Sequence, residues 1–195
     1  MSEYDPIVPL DELDHEPSDL DRVRELFERS ADRFLRSPWS WVSWAVVVAV
    51  AALATRTVHA AGSGWSVLVL WSTAILVGGA VEAILYARSG RDAKPSQLAR
   101  WVLRGQANLS LVGLFLSIYL VWRGHPEALA GVWLLILGHS FWSHGGLGFA
   151  AFRGAGVLYQ VGGVAALTPW VDPLVALAVS VSAGNLWLAV AVWRR

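Results

Sequence analysis

From Pro38 to the last residue the chain consists of six long apolar stretches joined by short polar turns, and nearly every basic residue falls on one side of them. A bilayer hydrocarbon core is about 30 Å thick, so a helix crossing it needs about 20 mainly apolar residues. The span 38–193 has room for six such helices and little else. A soluble chain has no reason to repeat that run six times. The pattern predicts an all-α integral membrane protein: a six-transmembrane-helix bundle over residues 38–195, preceded by an N-terminal amphipathic cytoplasmic helix.

The expected spans are 39–57, 65–87, 104–122, 126 to 142–144, 149–168 and 173–193. Trp39, Trp41 and Trp44 suit an aromatic belt where the first span begins. Pro126 suits the first turn of the fourth span, and Asp172-Pro173 reads as a cap and first turn for the sixth. The run His144–Gly148 gives a tight break between the fourth and fifth spans, and Thr168-Pro169 stops the fifth.

Orientation follows from the basic residues. Five precede the first span, five lie in the 88–104 loop (Arg88, Arg91, Lys94, Arg100 and Arg104), Arg153 sits in the fourth turn and Arg194 and Arg195 end the chain. Only Arg56 and Arg123 fall on the other side. Thirteen against two places both termini in the cytoplasm. That demands an even number of spans. One lysine against fourteen arginines suggests a bacterial origin, hence an inner-membrane location.

Ahead of the bundle, residues 1–17 carry acids, three prolines and no Lys or Arg, and read as a disordered acidic tail. Their start is acidic and the first apolar run begins only near Trp39, which predicts no cleaved signal peptide. Residues 18–36 read as an amphipathic interfacial helix. Leu20, Val23, Phe27, Ala31 and Phe34 share one stripe, and Glu25–Arg29 and Asp32–Arg36 are favourable i,i+4 pairs. The stripe needs the membrane surface or a protein partner.

The chain has no cysteine, which excludes disulfides, thiolate catalysis and Cys-based metal sites. A formal net charge of zero gives no field to gather nucleic acid. No nucleotide loop, metal signature or nucleophile motif stands out. His139 and His144, five apart, are about 140° apart around a helix and do not readily chelate one metal. No cofactor is expected.

Ionisable and strongly polar groups at membrane depth are costly and are therefore the candidate site. They are Glu82, Arg104, Asn108, His139, His144 and Arg153, all on the cytoplasmic half of the expected bundle. Glu82 is the one acid well inside a span and is expected to pair with Arg104, His139, His144 or Arg153. Asn108, Tyr159, Gln160 and Asn185 are expected to hydrogen-bond between helices, and Gly78-Gly79, Gly113, Gly162-Gly163 and Ala183-Gly184 to mark close crossings. Arg104-Gly105 and Val112-Gly113 share their offset with Arg153-Gly154 and Val161-Gly162, a faint sign of an internal repeat.

Within 126–165, Trp133 and Gly138 in one helix, a short glycine turn, and Arg153 and Gly156 opening the next resemble small multi-span bacterial inner-membrane proteins of no assigned function. The resemblance implies a six-helix membrane protein and carries over no catalytic residue. The function expected from the sequence is a non-enzymatic accessory or regulatory membrane subunit docking partners through residues 1–36. The alternatives are a small transporter or channel with a cytoplasm-facing vestibule around Glu82, and an intramembrane enzyme. The lipid bilayer is the primary partner, and a homo-oligomer is compatible with every feature above.

Overall fold

The computed structural model describes residues 37–62, 64–88, 97–147 and 150–194. The acidic tail and amphipathic helix expected over 1–36 lie outside the described residues. Among those described, every regular element is helical: α1 Pro38–Ala61, α2 Gly64–Arg88, α3 Gln97–Trp122, α4 Leu129–His144, α5 Ala151–Ala166 and α6 Pro173–Trp193. Single 3₁₀ turns flank α4 at Pro126–Ala128 and Gly145–Leu147.

Local chemistry sets the boundaries. The Ser37 hydroxyl accepts the Trp39 N–H and Pro38 fills the first turn of α1. The Asp172 carboxylate accepts the Leu174 and Val175 N–H groups at 2.9 and 3.0 Å, and Pro173 opens α6. Gly124, at φ +79°, supplies the left-handed residue that turns the chain from α3 towards α4.

Among the described residues four helices are long and apolar enough to cross a membrane: Pro38–Ala60, Gly64–Leu85, Leu103–Trp122 and Pro173–Trp193. These four support a multi-pass membrane protein. Two expectations need adjusting. α3 begins at Gln97, so Arg100 and Arg104 stand on a helix rather than in the 88–104 loop. Its opening residues, Gln-Leu-Ala-Arg-Trp-Val-Leu-Arg, are mostly good helix formers, and arginine breaks a hydropathy window without breaking a helix. α4 and α5 are 16 residues each, shorter than their neighbours.

Side by side, the helices follow the order α2, α1, α6, α5, α4, α3. α2 and α3, the two ends of that row, meet mainly at one end, where Val67, Val121 and Leu129 form a cluster. The middle is tight. Leu134, Tyr159, Ala166, Ala176, Leu177 and Val181 form one buried cluster, and Trp41, Phe152, Ala155, Leu188 and Ala189 another.

The α4–α5 contact is backbone on backbone. Gly131 and Gly138 on α4 and Gly145 just past its end recur every seven residues, and Gly156 and Gly163 do so on α5. A Cβ on Gly138 would stand 2.8 Å from the Gln160 backbone nitrogen and 2.9 Å from the Gly156 carbonyl oxygen. One on Gly156 would stand 2.6 Å from the Trp142 nitrogen. Close backbone packing of this kind is what holds helices together where apolar burial between them drives little. Gly78, Gly113, Gly162, Gly163 and Gly184 also lie under neighbours, but Gly79 has nothing within 4 Å and marks no crossing.

Tryptophans tie the outer helices to the middle. The Trp133 ring covers Gly113 while its indole N–H donates to the Ser117 hydroxyl at 2.9 Å, joining α4 to α3. The Trp71 indole donates to Thr55 at 3.1 Å, joining α2 to α1. Trp187 covers Gly154 and donates to the Ala151 carbonyl, joining α6 to α5.

Candidate functional site

The antiparallel packing sorts the helix ends into two layers. The starts of α1 and α5 and the ends of α4 and α6 share one layer, through Trp41, Phe141, Phe152 and Leu188. The end of α1 meets the start of α6 in the other, where Arg56 and Asp172 pair at 2.7 Å across a solvent-exposed gap. The six candidate residues lie towards the first layer but do not come together: Glu82 and His144 sit in separate helix contacts, and the others are exposed.

Glu82, on α2, turns towards α1. Its carboxylate accepts the Ser40 hydroxyl at 3.1 Å and the Trp44 indole N–H at 3.3 Å. Ser40 is 3% exposed, so this end of the α1–α2 contact is shielded. The sequence spacing 39, 41, 44 sends the three tryptophans in different directions on a helix of 3.6 residues per turn. Only Trp39 is highly exposed, whereas Trp41 enters the core against Phe141 and Phe152 and Trp44 covers Gly78. The aromatic belt expected from all three thus reduces to Trp39. Among the described residues the buried Trp41 indole nitrogen has no hydrogen-bond partner.

His144 belongs to the α3–α4 contact. Its Nδ1 lies 3.4 Å from the Ser140 hydroxyl, which in turn bonds the Gln106 side chain on α3. Arg153, at the start of α5, lies over the Trp142 ring with its guanidinium carbon 5.9 Å from the ring centre. His139, Arg104 and Asn108 are exposed on α4 and α3. The expected interhelical role thus falls to Tyr159 and Asn185, whose buried side chains bond at 2.7 Å between α5 and α6, and not to Asn108.

Gln106, Ser140 and Ser40 are residues that sequence reasoning missed, and Trp44 was expected in an aromatic belt rather than as a partner of Glu82. Hydroxyls and indoles carry little hydropathy penalty, whereas the Gln106 carboxamide carries a large one but stands near the start of the expected third span; only their helix partners reveal their use. Ser117 and Thr55 each also return their own hydroxyl proton to a carbonyl one turn back, Gly113 and Ala51, so these hydroxyls are doubly used.

Outside the apolar layer, Asp172 has its carboxyl held below the ordinary range. The Val175 N–H is the main cause, and the Leu174 N–H and the Arg56 guanidinium add to it. Among the described residues no three His, Asp or Glu side chains gather as a metal site would require. A groove of about 90 Å³ between α1 and α6 is lined by Ala52, Leu53, Arg56, Leu174, Val175 and Ala178, and is largely apolar. Comparison with known proteins finds no matching family model, no similar curated protein and no similar solved structure.

Proposed function

We propose that the chain is a six-span protein of the bacterial inner membrane, with both termini cytoplasmic, acting as a non-enzymatic accessory or regulatory subunit that docks partners through residues 1–36. Six crossings are supported by the strict alternation of helix ends between two layers. The 3₁₀ turns extend the α4 segment to Pro126–Leu147, which lengthens the shorter of the apolar runs. The same alternation puts Arg88, Arg100, Arg104, Arg153 and Arg194 in one layer and Arg56 and Arg123 in the other, which favours the first layer as cytoplasmic.

The observation that carries the accessory reading is the way interior polar groups are used up. Tyr159–Asn185, Thr55–Trp71, Ser117–Trp133 and Ser140–Gln106 are helix-to-helix ties. They fix the bundle; they do not line a path. A transporter places unpaired polar groups near the midplane, on a route open to each side in turn. A rigid, glycine-packed bundle instead suits a platform that presents a cytoplasmic arm.

The test compares the full chain with one lacking residues 2–36. Both should insert and unfold alike, and proteins captured by the full chain in mild detergent should be lost from the shortened one. Saturable solute flux through vesicles holding the purified protein would refute the accessory reading in favour of transport. Labelling of Ser96→Cys, but not Ser63→Cys, by an impermeant thiol reagent on intact cells would invert the topology.

A further inference from the structure

One face of α3 sets a carboxamide, unbonded among the described residues, in an exposed apolar stripe. The face turned to α4 is fixed by Gln106 on Ser140, Gly113 under Trp133 and Ser117 bonded to the same tryptophan. At 100° per residue the opposite face carries Arg104, Asn108, Leu111, Phe115, Ile118 and Trp122. Their spacing is four, three, four, three, four. That is the alternation of a two-stranded coiled-coil seam, with Asn108, Phe115 and Trp122 at a positions and Arg104, Leu111 and Ile118 at d. All six are exposed, Phe115 by 62% and Trp122 by 73%.

Apolar residues there need no partner other than lipid. Asn108 does. It lies five residues inside the span Leu103–Trp122, about 7.5 Å along the helix, and makes no side-chain hydrogen bond among the described residues. A carboxamide facing hydrocarbon with two donors and an acceptor unmet is costly. An amide is also self-complementary: its oxygen accepts what its nitrogen donates. In a membrane, two copies related by an axis along the bilayer normal bring the same helix together in parallel, so equal a positions face each other. An a-position asparagine then meets its own copy and fixes the register.

We propose that the chain forms a parallel homodimer through α3, with the Asn108 side chains hydrogen-bonded across the two-fold axis and Leu111, Phe115, Ile118 and Trp122 as the apolar seam. Arg104, at the start of the span, is long enough to leave the seam for the headgroups. Among the described residues α3 rests on α4 and touches α2 little, so no described helix packs on this face.

The absence of native cysteines allows a clean test in isolated membranes with the full chain. Single cysteines at Leu111 and Phe115 should form disulfide-linked dimers on mild oxidation. Cysteines at Leu114 and Leu116, on the same helix turns but to either side of the seam, should not. Asn108→Ala should weaken dimerisation of the purified protein in vesicles by roughly three- to twentyfold, the range of interhelical hydrogen bonds in membranes, and Asn108→Gln should retain part of it. Cross-linking at none of the four positions would mean that lipid covers the face, and equal cross-linking at all four would mean random collision. Either result overturns the proposal, as would an Asn108→Ala protein that dimerises like the parent.

Discussion

Replacing Gly156 by alanine tests whether the middle of the bundle is held by backbone contact. The added methyl would stand 2.6 Å from the Trp142 nitrogen and 2.8 Å from the Gly138 carbonyl oxygen, against an ordinary contact limit of 3.4 Å. Neither atom belongs to a flexible side chain, so α5 must retreat from α4 by about 0.8 Å. A gap of roughly 0.5–1 Å forfeits a quarter to a half of each dispersion contact it opens. Overpacking of this kind costs about 1–3 kcal/mol. The better helix propensity of alanine returns up to about 1 kcal/mol. Gly79→Ala measures that gain by itself, because nothing lies within 4 Å of the added atom. The two variants should therefore differ by about 1–3 kcal/mol in detergent, with Gly156→Ala the weaker. On the scale of a chain this long that is about 2–4 °C in Tm per kcal/mol. Equal melting temperatures for Gly156→Ala and Gly79→Ala would show that the α4–α5 contact is not limited by its glycines.

Glu82→Gln should melt above Glu82→Leu by the equivalent of about 1–3 kcal/mol, because leucine strands the Ser40 hydroxyl and Trp44 indole that the carboxylate now receives. Tyr159→Phe should cost about 1 kcal/mol in the same assay, through the unmet Asn185 oxygen. Asp172 predicts a pH effect of definite sign. Its folded carboxyl titrates below the unfolded one, so its contribution is complete above the ordinary carboxylate range and is lost as pH falls through the lower folded value. Melting curves between about pH 7 and pH 3 should show Asp172→Asn losing less stability on acidification than the parent, and an identical slope would remove the cap from the account.

How much of this was legible in the sequence depends on the range of the interaction concerned. Helix positions followed from apolar run length, and Asp172-Pro173 marked the start of α6 to the residue. The opening of α3 was hidden because hydropathy treats Arg100 and Arg104 as loop, although they sit comfortably on a helix. Glycines were visible, but a glycine matters only through what faces it. Gly78 lies under Trp44 while Gly79, one residue on, points to open space. The candidate site was hardest. Burial cost singled out Glu82 and His144, and they do make interhelical or helix-bound hydrogen bonds, but their partners are the unremarked Ser40 and Ser140 and a Trp44 expected to face the membrane surface. Pairing across helices is set by rotation about each axis, and a single sequence does not encode that rotation in its composition.

The brevity of α5 has a consequence for the surrounding lipid. Its 16 residues rise about 24 Å, and Val157, Leu158, Val161 and Val164 on its surface are exposed. In the six-span arrangement proposed above, the acyl chains beside α2 or α6 meet an apolar wall longer than their own unstressed thickness, and those beside α5 meet one that is several ångströms too short. The bilayer must pinch at one flank and stretch or tilt at another, at fractions of a kcal/mol per ångström. On the proposed six-span reading the protein carries a built-in dent in its own membrane and is expected to partition towards thinner bilayers, where that dent relaxes.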